Sequence, residues 1–99
     1  MIDLERIVGF EWDEGKARKN EKHGVSQSEA EQAFFDFRLL VVPDARHSQA
    51  EPRLHALGAT IDRRLLHVIF TLRVRGTRIR VISARDVHRK ERQIYESQR

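Results

Sequence analysis

The residues of this sequence that could do chemistry are mainly arginines. Arg78 and Arg80 lie two positions apart in a segment of alternating apolar and polar residues, so one face of a predicted strand carries both side chains. Two guanidinium groups can bracket a phosphate, because each presents a planar fork of N–H donors. Arg85 has the parity of the apolar residues in this strand, which predicts that it points toward the rim of the core. A cation there needs either a bound anion or a salt bridge, to Asp86, Glu91 or an acidic residue of the N-terminal part.

Histidine supplies the candidate proton-transfer group, because its ordinary pKa of about 6.5 lies close to neutral pH. His23 follows a highly polar segment and is the first candidate for a general acid or base. The alternative is that it binds the last carbonyls of a helix. His47 and His55 are secondary candidates, and His67 lies in an apolar run that favours a buried structural role.

No pattern in the sequence indicates a metal ion or an organic cofactor. The 5 histidines include no pair at the short helical spacing of a two-histidine metal site, and there is no cysteine. The glycine-rich motifs that bind nucleotide phosphates are also missing from the sequence. If the chain is an enzyme, we expect its side chains to carry the reaction without a cofactor.

Charge is distributed unevenly along the chain. Residues 1–62 contain 8 Lys and Arg against 12 Asp and Glu, whereas residues 63–92 contain 10 against 2, which gives net charges of −4 and +8. Nine of those ten cations are arginine. This asymmetry favours a polyanion or an acidic protein as the partner of the second half. The alternative is a solvated arginine-rich surface.

Two helices are predicted before the main group of strands. The first begins at Asp13 as its N-cap and ends at His23, with Gly24 as the left-handed residue that follows. It has almost no apolar stripe and should therefore lie on the surface. The second begins with the capping box Ser26–Glu29. Its predicted core face consists of Ala30, Ala33, Phe34 and Phe37.

Strands are predicted where apolar residues alternate or run together. They cover residues 2–12, 39–43, 53–60, 65–72 and 78–85, and a last helix over residues 87–97 is capped by Asp86. Because the later strands are joined by short connections, an antiparallel meander is the simplest topology. The predicted fold class is α+β: two N-terminal helices packed on a three- to four-stranded antiparallel sheet, with a C-terminal helix.

Length and composition limit the class of protein. A chain of 99 residues with 39% apolar residues is expected to form one domain over residues 1–99. The lack of cysteine excludes a disulfide-stapled secreted scaffold. No apolar run approaches the ~20 residues of a membrane span, and the first 20 residues do not resemble a signal peptide. We therefore expect a small cytoplasmic protein that is not bound to a membrane.

The order of these residues resembles the BrnT family of bacterial toxins over nearly the whole chain. The resemblance is carried by Phe10–Glu14, Lys16, Asn20, Lys22–Ser26, Phe35, Asp36, Asp44, His47, Ser48, Glu51, Arg53, Ala56–Gly58, Val68, Phe70, Thr71, Arg78–Arg80, Ile82–Arg85, Arg89, Glu91, Arg92, Tyr95 and Glu96. Two departures are that Phe37 stands where the family often has proline and Gln27 where it often has an aromatic residue. These departures concern contacts with a partner more than the cationic residues.

The resemblance implies a type II toxin with a RelE-like fold that cleaves RNA, inhibits translation and arrests growth. It also implies a BrnA-like antitoxin with a ribbon-helix-helix domain, bound in a hetero-oligomer such as a 2:2 complex. Operator DNA would be bound only through that antitoxin. A non-catalytic basic module that binds nucleic acid or protein, or acts as a co-repressor, is the alternative function.

For a metal-independent ribonuclease of this kind, the sequence suggests a set of site residues. Arg80 and Arg85 are predicted to bind the phosphate, with Arg53 from a facing strand as a third cation and His23 or Lys22 in the proton-transfer role. Further substrate contacts are predicted for Lys19, Lys22, Arg78 and Arg89.

Overall fold

The computed structural model describes residues 3–13, 23–44, 46 and 51–98. In these residues five strands form one sheet, in the spatial order β1-β5-β4-β3-β2. The strands are β1 (Gly9–Trp12), β2 (Leu40–Asp44), β3 (Arg53–Ala59), β4 (Leu65–Arg73) and β5 (Arg78–Asp86). The positions of β2 to β5 closely match the segments predicted from apolar alternation.

The sheet is mixed, because β1 runs parallel to β5 while the pairs β2–β3, β3–β4 and β4–β5 are antiparallel. The prediction of a three- to four-stranded, wholly antiparallel sheet is therefore wrong. The antiparallel pairs are neighbours in sequence, and their short connections indicate this order. The first strand instead joins the far edge of the sheet beside the last strand, and no local pattern of residues identifies that neighbour.

The described residues contain two α-helices, α1 (Gln27–Ala33) and α2 (Arg89–Glu96), and a 3-10 turn over Leu4–Arg6. Only α1 precedes β2 in this part of the chain, so the predicted pair of N-terminal helices packed on the sheet is also wrong. The predicted first helix falls mainly on residues 14–22, which lie outside the described residues. Gly24, which was to follow that helix, has the expected left-handed backbone with φ of +69°.

The capping box of α1 is confirmed. The hydroxyl of Ser26 accepts the backbone N–H of Glu29 at 3.0 Å, and the Glu29 carboxylate accepts the backbone N–H of Ser26 at 3.1 Å. Helix α1 then packs on one face of the sheet through small residues and one ring. Ala30, Ala33 and Phe34 are buried there, with the Phe34 ring edge-on to Phe70 at 4.9 Å between ring centroids.

Phe37, predicted to belong to this core face, is fully exposed instead. Helix α1 ends at Ala33, and the chain turns before it enters β2. A helical spacing of three or four residues therefore no longer applies at Phe37. With Phe35, which is also exposed, this ring lines an open apolar groove of about 360 Å³.

Replacing Phe37 by serine should consequently change the free energy of unfolding by less than about 0.5 kcal/mol, because the ring buries no area in the folded chain. Urea unfolding followed by circular dichroism checks this. A loss of about 3 kcal/mol, as for a phenylalanine removed from a core, would show that the predicted helical face was right.

Helix α2 packs on the opposite face of the sheet. Its Tyr95 is buried with Leu57, Ala59 and Leu65, and the Tyr95 hydroxyl donates to Asp36 at 2.5 Å. The predicted start of this helix at residue 87, with Asp86 as its cap, is wrong by two residues. Asp86 ends β5, and its carboxylate accepts two hydrogen bonds from Arg64, which directly precedes β4. Within the described residues, no helix has the length and apolar character needed to cross a membrane.

Candidate active site

Arg85 lies on the same face of the sheet as Arg53, Arg78 and Arg80 because of an irregularity in β5. Ile79 and Val81 face the core, and simple alternation would turn Arg85 the same way. Between β4 and β5, however, Phe70 pairs with Val81 while the adjacent Ile69 pairs with Ser83, so that β5 contains one extra residue at this point. Such a bulge reverses the alternation beyond it. Arg85 therefore shares a face with Arg80, and its predicted orientation toward the core rim is wrong.

We call the face opposite α1 the arginine face; its polar residues are Glu11, Asp44, Arg53, His55, His67, Thr71, Arg73, Arg78, Arg80, Ser83 and Arg85. On it, Arg53 of β3 and Arg80 of β5 flank Thr71 of β4 in the strand register. Their Cα atoms are thus separated by two strand spacings, about 10 Å. Two flexible arginine side chains at that separation can reach the same phosphate.

The guanidinium group of Arg80 is partly accessible to solvent. Its side chain is 35% exposed, and one guanidinium nitrogen lies 3.6 Å from a carboxylate oxygen of Asp13. That separation is longer than a charge-assisted hydrogen bond. A phosphate oxygen could therefore contact this guanidinium without displacing a close hydrogen bond.

Two histidines that the sequence analysis treated separately form a contact pair on the arginine face. Nδ1 of His55 lies 2.6 Å from Nε2 of His67, and the rings stack with 4.8 Å between centroids. Nε2 of His55 lies 2.9 Å from a carboxylate oxygen of Asp44. His67 is buried, whereas the side chain of His55 is 31% exposed. The pair thus offers one imidazole to solvent and supports it with a buried one.

Sequence reasoning could have found this pair. His55 and His67 have the same parity on adjacent antiparallel strands, and their register places them as diagonal neighbours. His67 is indeed buried, as its apolar run predicted. It is not a satisfied core histidine, however: among the described residues, its Nδ1 is a buried side-chain atom without a hydrogen-bond partner.

The environment of His67 keeps this ring neutral at physiological pH. Burial lowers the pKa of His67 to about 4, and the positive charge of Arg85 acts in the same direction. The carboxylate of Glu91, 3.9 Å from Nδ1 of His67, opposes the shift without cancelling it. A neutral buried imidazole beside an exposed one can accept a hydrogen bond from it.

Glu91 and Arg85 form a close ion pair at the start of α2. Two guanidinium nitrogens of Arg85 donate to the two oxygens of Glu91 at 2.8 and 2.9 Å. Burial by itself would raise the pKa of Glu91, but the hydrogen bonds from Arg85 and from the backbone N–H of His88 outweigh burial and lower this pKa to about 2. Glu91 is therefore a permanent anion at the border of the arginine face.

The other predicted site residues lie away from this cluster or outside the described chain. Arg78, the first residue of β5, lies on the arginine face but pairs with Glu11 at 3.1 Å, away from the histidines. Arg89 is the exposed first residue of α2. Lys19 and Lys22 fall within residues 14–22 and lie outside the described residues.

His23 lies on the α1 side of the sheet instead of the arginine face. It occupies an exposed turn before α1, and the carbonyl of the next residue, Gly24, accepts a hydrogen bond from Arg64 at 2.8 Å. Arg64 in turn pairs with Glu29 of α1. The structure thus brings Arg53, Arg80 and Arg85 to one face but does not bring His23 to them.

The described residues hold no group of three or more His, Asp or Glu side chains arranged to bind a metal ion. The arrangement on the arginine face offers two other kinds of chemistry. Its guanidinium groups can stabilise a developing negative charge, and the carboxylate-bound imidazole of His55 can transfer a proton.

Comparison with known proteins assigns the family. The family model described as "Ribonuclease toxin, BrnT, of type II toxin-antitoxin system" matches residues 12–91. The crystal structure of the Brucella abortus ribonuclease toxin BrnT is similar to this chain, with 31% sequence identity and a TM-score of 0.61 over 82% of this chain and 97% of the other. A comparison with curated protein sequences gives no match. The chain therefore belongs to the BrnT family of ribonuclease toxins of type II toxin–antitoxin systems.

Proposed function

We propose that this toxin cleaves RNA at the arginine face without a metal ion. The observation that carries the proposal is the position of His55: a half-exposed imidazole, held by Asp44 at 2.9 Å, on the face that presents Arg53, Arg80 and Arg85. A proton-transfer group next to several fixed cations is what phosphodiester transesterification requires.

The reaction uses the RNA's own 2′-hydroxyl as the nucleophile. The 2′-oxygen forms a bond to the adjacent phosphorus while the bond from phosphorus to the 5′-oxygen breaks, which leaves a 2′,3′-cyclic phosphate and a 5′-hydroxyl. Negative charge accumulates on the phosphorane oxygens in the transition state. Arg80 and Arg53 stabilise this charge as forked donors, and Arg85, whose fork is held by Glu91, contributes its positive charge.

His55 supplies the proton that the departing 5′-oxygen takes up. Its Nε2–H group must leave Asp44 to make this transfer, because the Nδ1–H group is held by the buried His67. The carboxylate of Asp44 at Nε2 stabilises the protonated ring, and so does the acceptor nitrogen of His67 at Nδ1. The proton of the 2′-hydroxyl leaves to water. We transfer the proton-transfer role from His23 to His55 because His55 lies on the same face as the arginines.

The same proposal covers the partner and the effect on the cell. We expect a BrnA-like antitoxin with a ribbon-helix-helix domain to bind this chain in a hetero-oligomer, and the released toxin to block translation in the cytoplasm by RNA cleavage. Membership of a type II toxin–antitoxin family supports an antitoxin partner. Operator DNA is then bound through the antitoxin.

The test is incubation of purified, partner-free protein with total RNA in excess EDTA. Wild-type protein should degrade the RNA. The variant His55→Gln should cleave it at least about 100-fold more slowly, because general acid catalysis contributes that much. The variant His23→Gln tests whether His23, the first candidate from the sequence, is needed for cleavage. Thermal unfolding of each variant checks that it is folded.

Three outcomes would contradict the proposal. Cleavage that requires a divalent cation would exclude a metal-independent reaction. Full activity of His55→Gln with loss in His23→Gln would return the proton-transfer role to His23. RNA that is bound but left intact by wild-type protein would favour the non-catalytic binding module instead.

A further inference from the structure

The C-terminal helix α2 carries a carboxylate into the proposed site. Tyr95 fixes the helix to the sheet, since it is 3% exposed and its hydroxyl donates to Asp36. Glu91 precedes Tyr95 by four residues and therefore projects from the same side of the helix. Its side chain, 22% exposed, ends between Arg85 and His67.

With His67 kept from carrying a charge by its burial, protons on the histidine pair have two consistent arrangements. Nε2 of His55 must carry a hydrogen, because the atom 2.9 Å away is a carboxylate oxygen of Asp44, which only accepts. The contact of 2.6 Å between His55 and His67 also needs one hydrogen. That hydrogen belongs either to Nε2 of His67 or to Nδ1 of His55.

In the first arrangement both rings are neutral, and the buried Nδ1 of His67 is a bare lone pair. It would face the carboxylate of Glu91 at 3.9 Å, which is repulsive, and it would lie buried with no donor. In the second arrangement His55 is the imidazolium and Nδ1 of His67 carries the hydrogen. An N–H group then faces the carboxylate, which is attractive.

We propose that Glu91 is a positioning residue of this site: its carboxylate holds Arg85 and directs the Nδ1–H tautomer of His67, so that Nε2 of His67 accepts a hydrogen bond from a protonated His55. The inference rests on the proposed function for its catalytic meaning, since it assigns the proton shared by the pair to His55, the proposed acid. The arrangement of protons is a property of the folded chain and can be measured without RNA.

The charged groups around His55 and His67 determine whether removal of the Glu91 charge raises or lowers the pH at which the two histidines lose their shared proton. Asp44 faces His55, and Glu91, Arg85 and His88 lie around His67. Glu91 is anionic and Arg85 cationic, so they nearly balance at the pair. Removal of the Glu91 charge leaves Arg85 uncompensated, and the pair should then lose its proton at lower pH.

The variant Glu91→Gln removes the negative charge of this side chain and leaves its shape almost unchanged. A glutamine keeps an oxygen that can accept the backbone N–H of His88, the contact that Glu91 makes at 2.8 Å at the start of α2. It also keeps an acceptor for Arg85. The matched control is Glu96→Gln, which removes the same charge from an exposed position of the same helix.

The experiment is a pH titration of the imidazole nitrogens by long-range ¹H–¹⁵N NMR on the whole, uniformly ¹⁵N-labelled chain. While the pair holds its shared proton, we expect wild-type protein to show His67 as the Nδ1–H tautomer, with the shared proton on Nδ1 of His55. In Glu91→Gln the midpoint at which the pair loses this proton should fall by about one pH unit, a tenfold loss of proton affinity. In Glu96→Gln the midpoint should not move.

Two results would overturn the inference: an Nε2–H tautomer of His67 in wild-type protein, or the same titration midpoint in wild type and Glu91→Gln. Failure of the proposed function gives a different signature, because His55→Gln would then cleave RNA normally while the wild-type NMR titration still shows the shared proton. If both ideas hold, the high-pH limit of the cleavage rate in Glu91→Gln shifts downward together with the NMR midpoint.

Discussion

Replacing Arg80 by alanine is expected to lower the rate of RNA cleavage by about 100-fold or more, because loss of one preorganised donor to transition-state charge costs 10²–10³ in rate. The same change should barely affect stability. The ion pair of Arg80 with Asp13 spans 3.6 Å between partly exposed groups, and such pairs contribute less than about 1 kcal/mol. A large loss of activity without unfolding would therefore assign Arg80 to the transition state.

Arg85 should behave differently from Arg80, since Glu91 holds it through two short hydrogen bonds. Arg85→Ala leaves that carboxylate without its partner at the edge of the site, so we expect a loss of stability as well as of activity. Arg85→Lys keeps the charge but not the forked contact. It should be better folded than Arg85→Ala and still slower than wild type.

The measurement is the initial rate of cleavage of a fluorescent oligoribonucleotide in EDTA, with thermal unfolding of each protein in parallel. The matched control is Arg92→Gln, which removes an arginine from the exposed side of α2. The double variant Arg80→Ala/Arg85→Ala should be inactive. If it is folded and cleaves at the wild-type rate, the active site does not lie on the arginine face.

Apolar alternation was enough to locate four of the five strands, because each strand buries one face and its period of two shows in the residues. It also identified Arg80 as a surface cation. The parallel pairing of β1 with β5 could not be found in this way, since strand order depends on packing between distant segments. Phe37 was misplaced for a related reason: the helical period continues in the sequence after the helix has ended.

The candidate site was only partly predictable because it depends on register. Arg85 lies on the same face of the sheet as Arg80 because β5 contains one extra residue between them. Simple alternation predicted that Arg85 would lie on the opposite face. The histidine pair depends on the offset between β3 and β4, which the separate strands do not reveal. Glu91 matched the family pattern, but its contact with both Arg85 and His67 follows only from the docking of α2.

Gly58 is the position where a single methyl group should destabilise the fold most clearly. It lies in β3 where α1 crosses the sheet, and a Cβ at this site would overlap the carbonyl oxygen of Ala33 and lie 3.0 Å from its carbonyl carbon. Both obstacles are backbone atoms at the end of a buried helix, so they cannot rotate away. The side chain of Leu39 is a further contact at 3.1 Å.

The variant Gly58→Ala should therefore lose about 3 kcal/mol in free energy of unfolding, the upper part of the range for overpacked cores. For a domain of this size that loss lowers the midpoint of thermal unfolding by roughly 15 °C. The matched control is Gly9→Ala in β1, where the nearest atoms are the flexible end of the Arg78 side chain at 3.3–3.5 Å. Its stability should change by less than about 0.5 kcal/mol.

The effect of Gly58→Ala should extend to the opposite face of the sheet. The next residue, Ala59, donates its backbone N–H to Asp36 at 2.8 Å, and Asp36 also accepts the hydroxyl of Tyr95. A displacement of β3 at Gly58 would therefore loosen α2, which carries Glu91. We expect weaker hydrogen-exchange protection in α2 of this variant than in Gly9→Ala. Equal protection and equal unfolding midpoints in the two variants would show that α1 can move away from β3 at little cost.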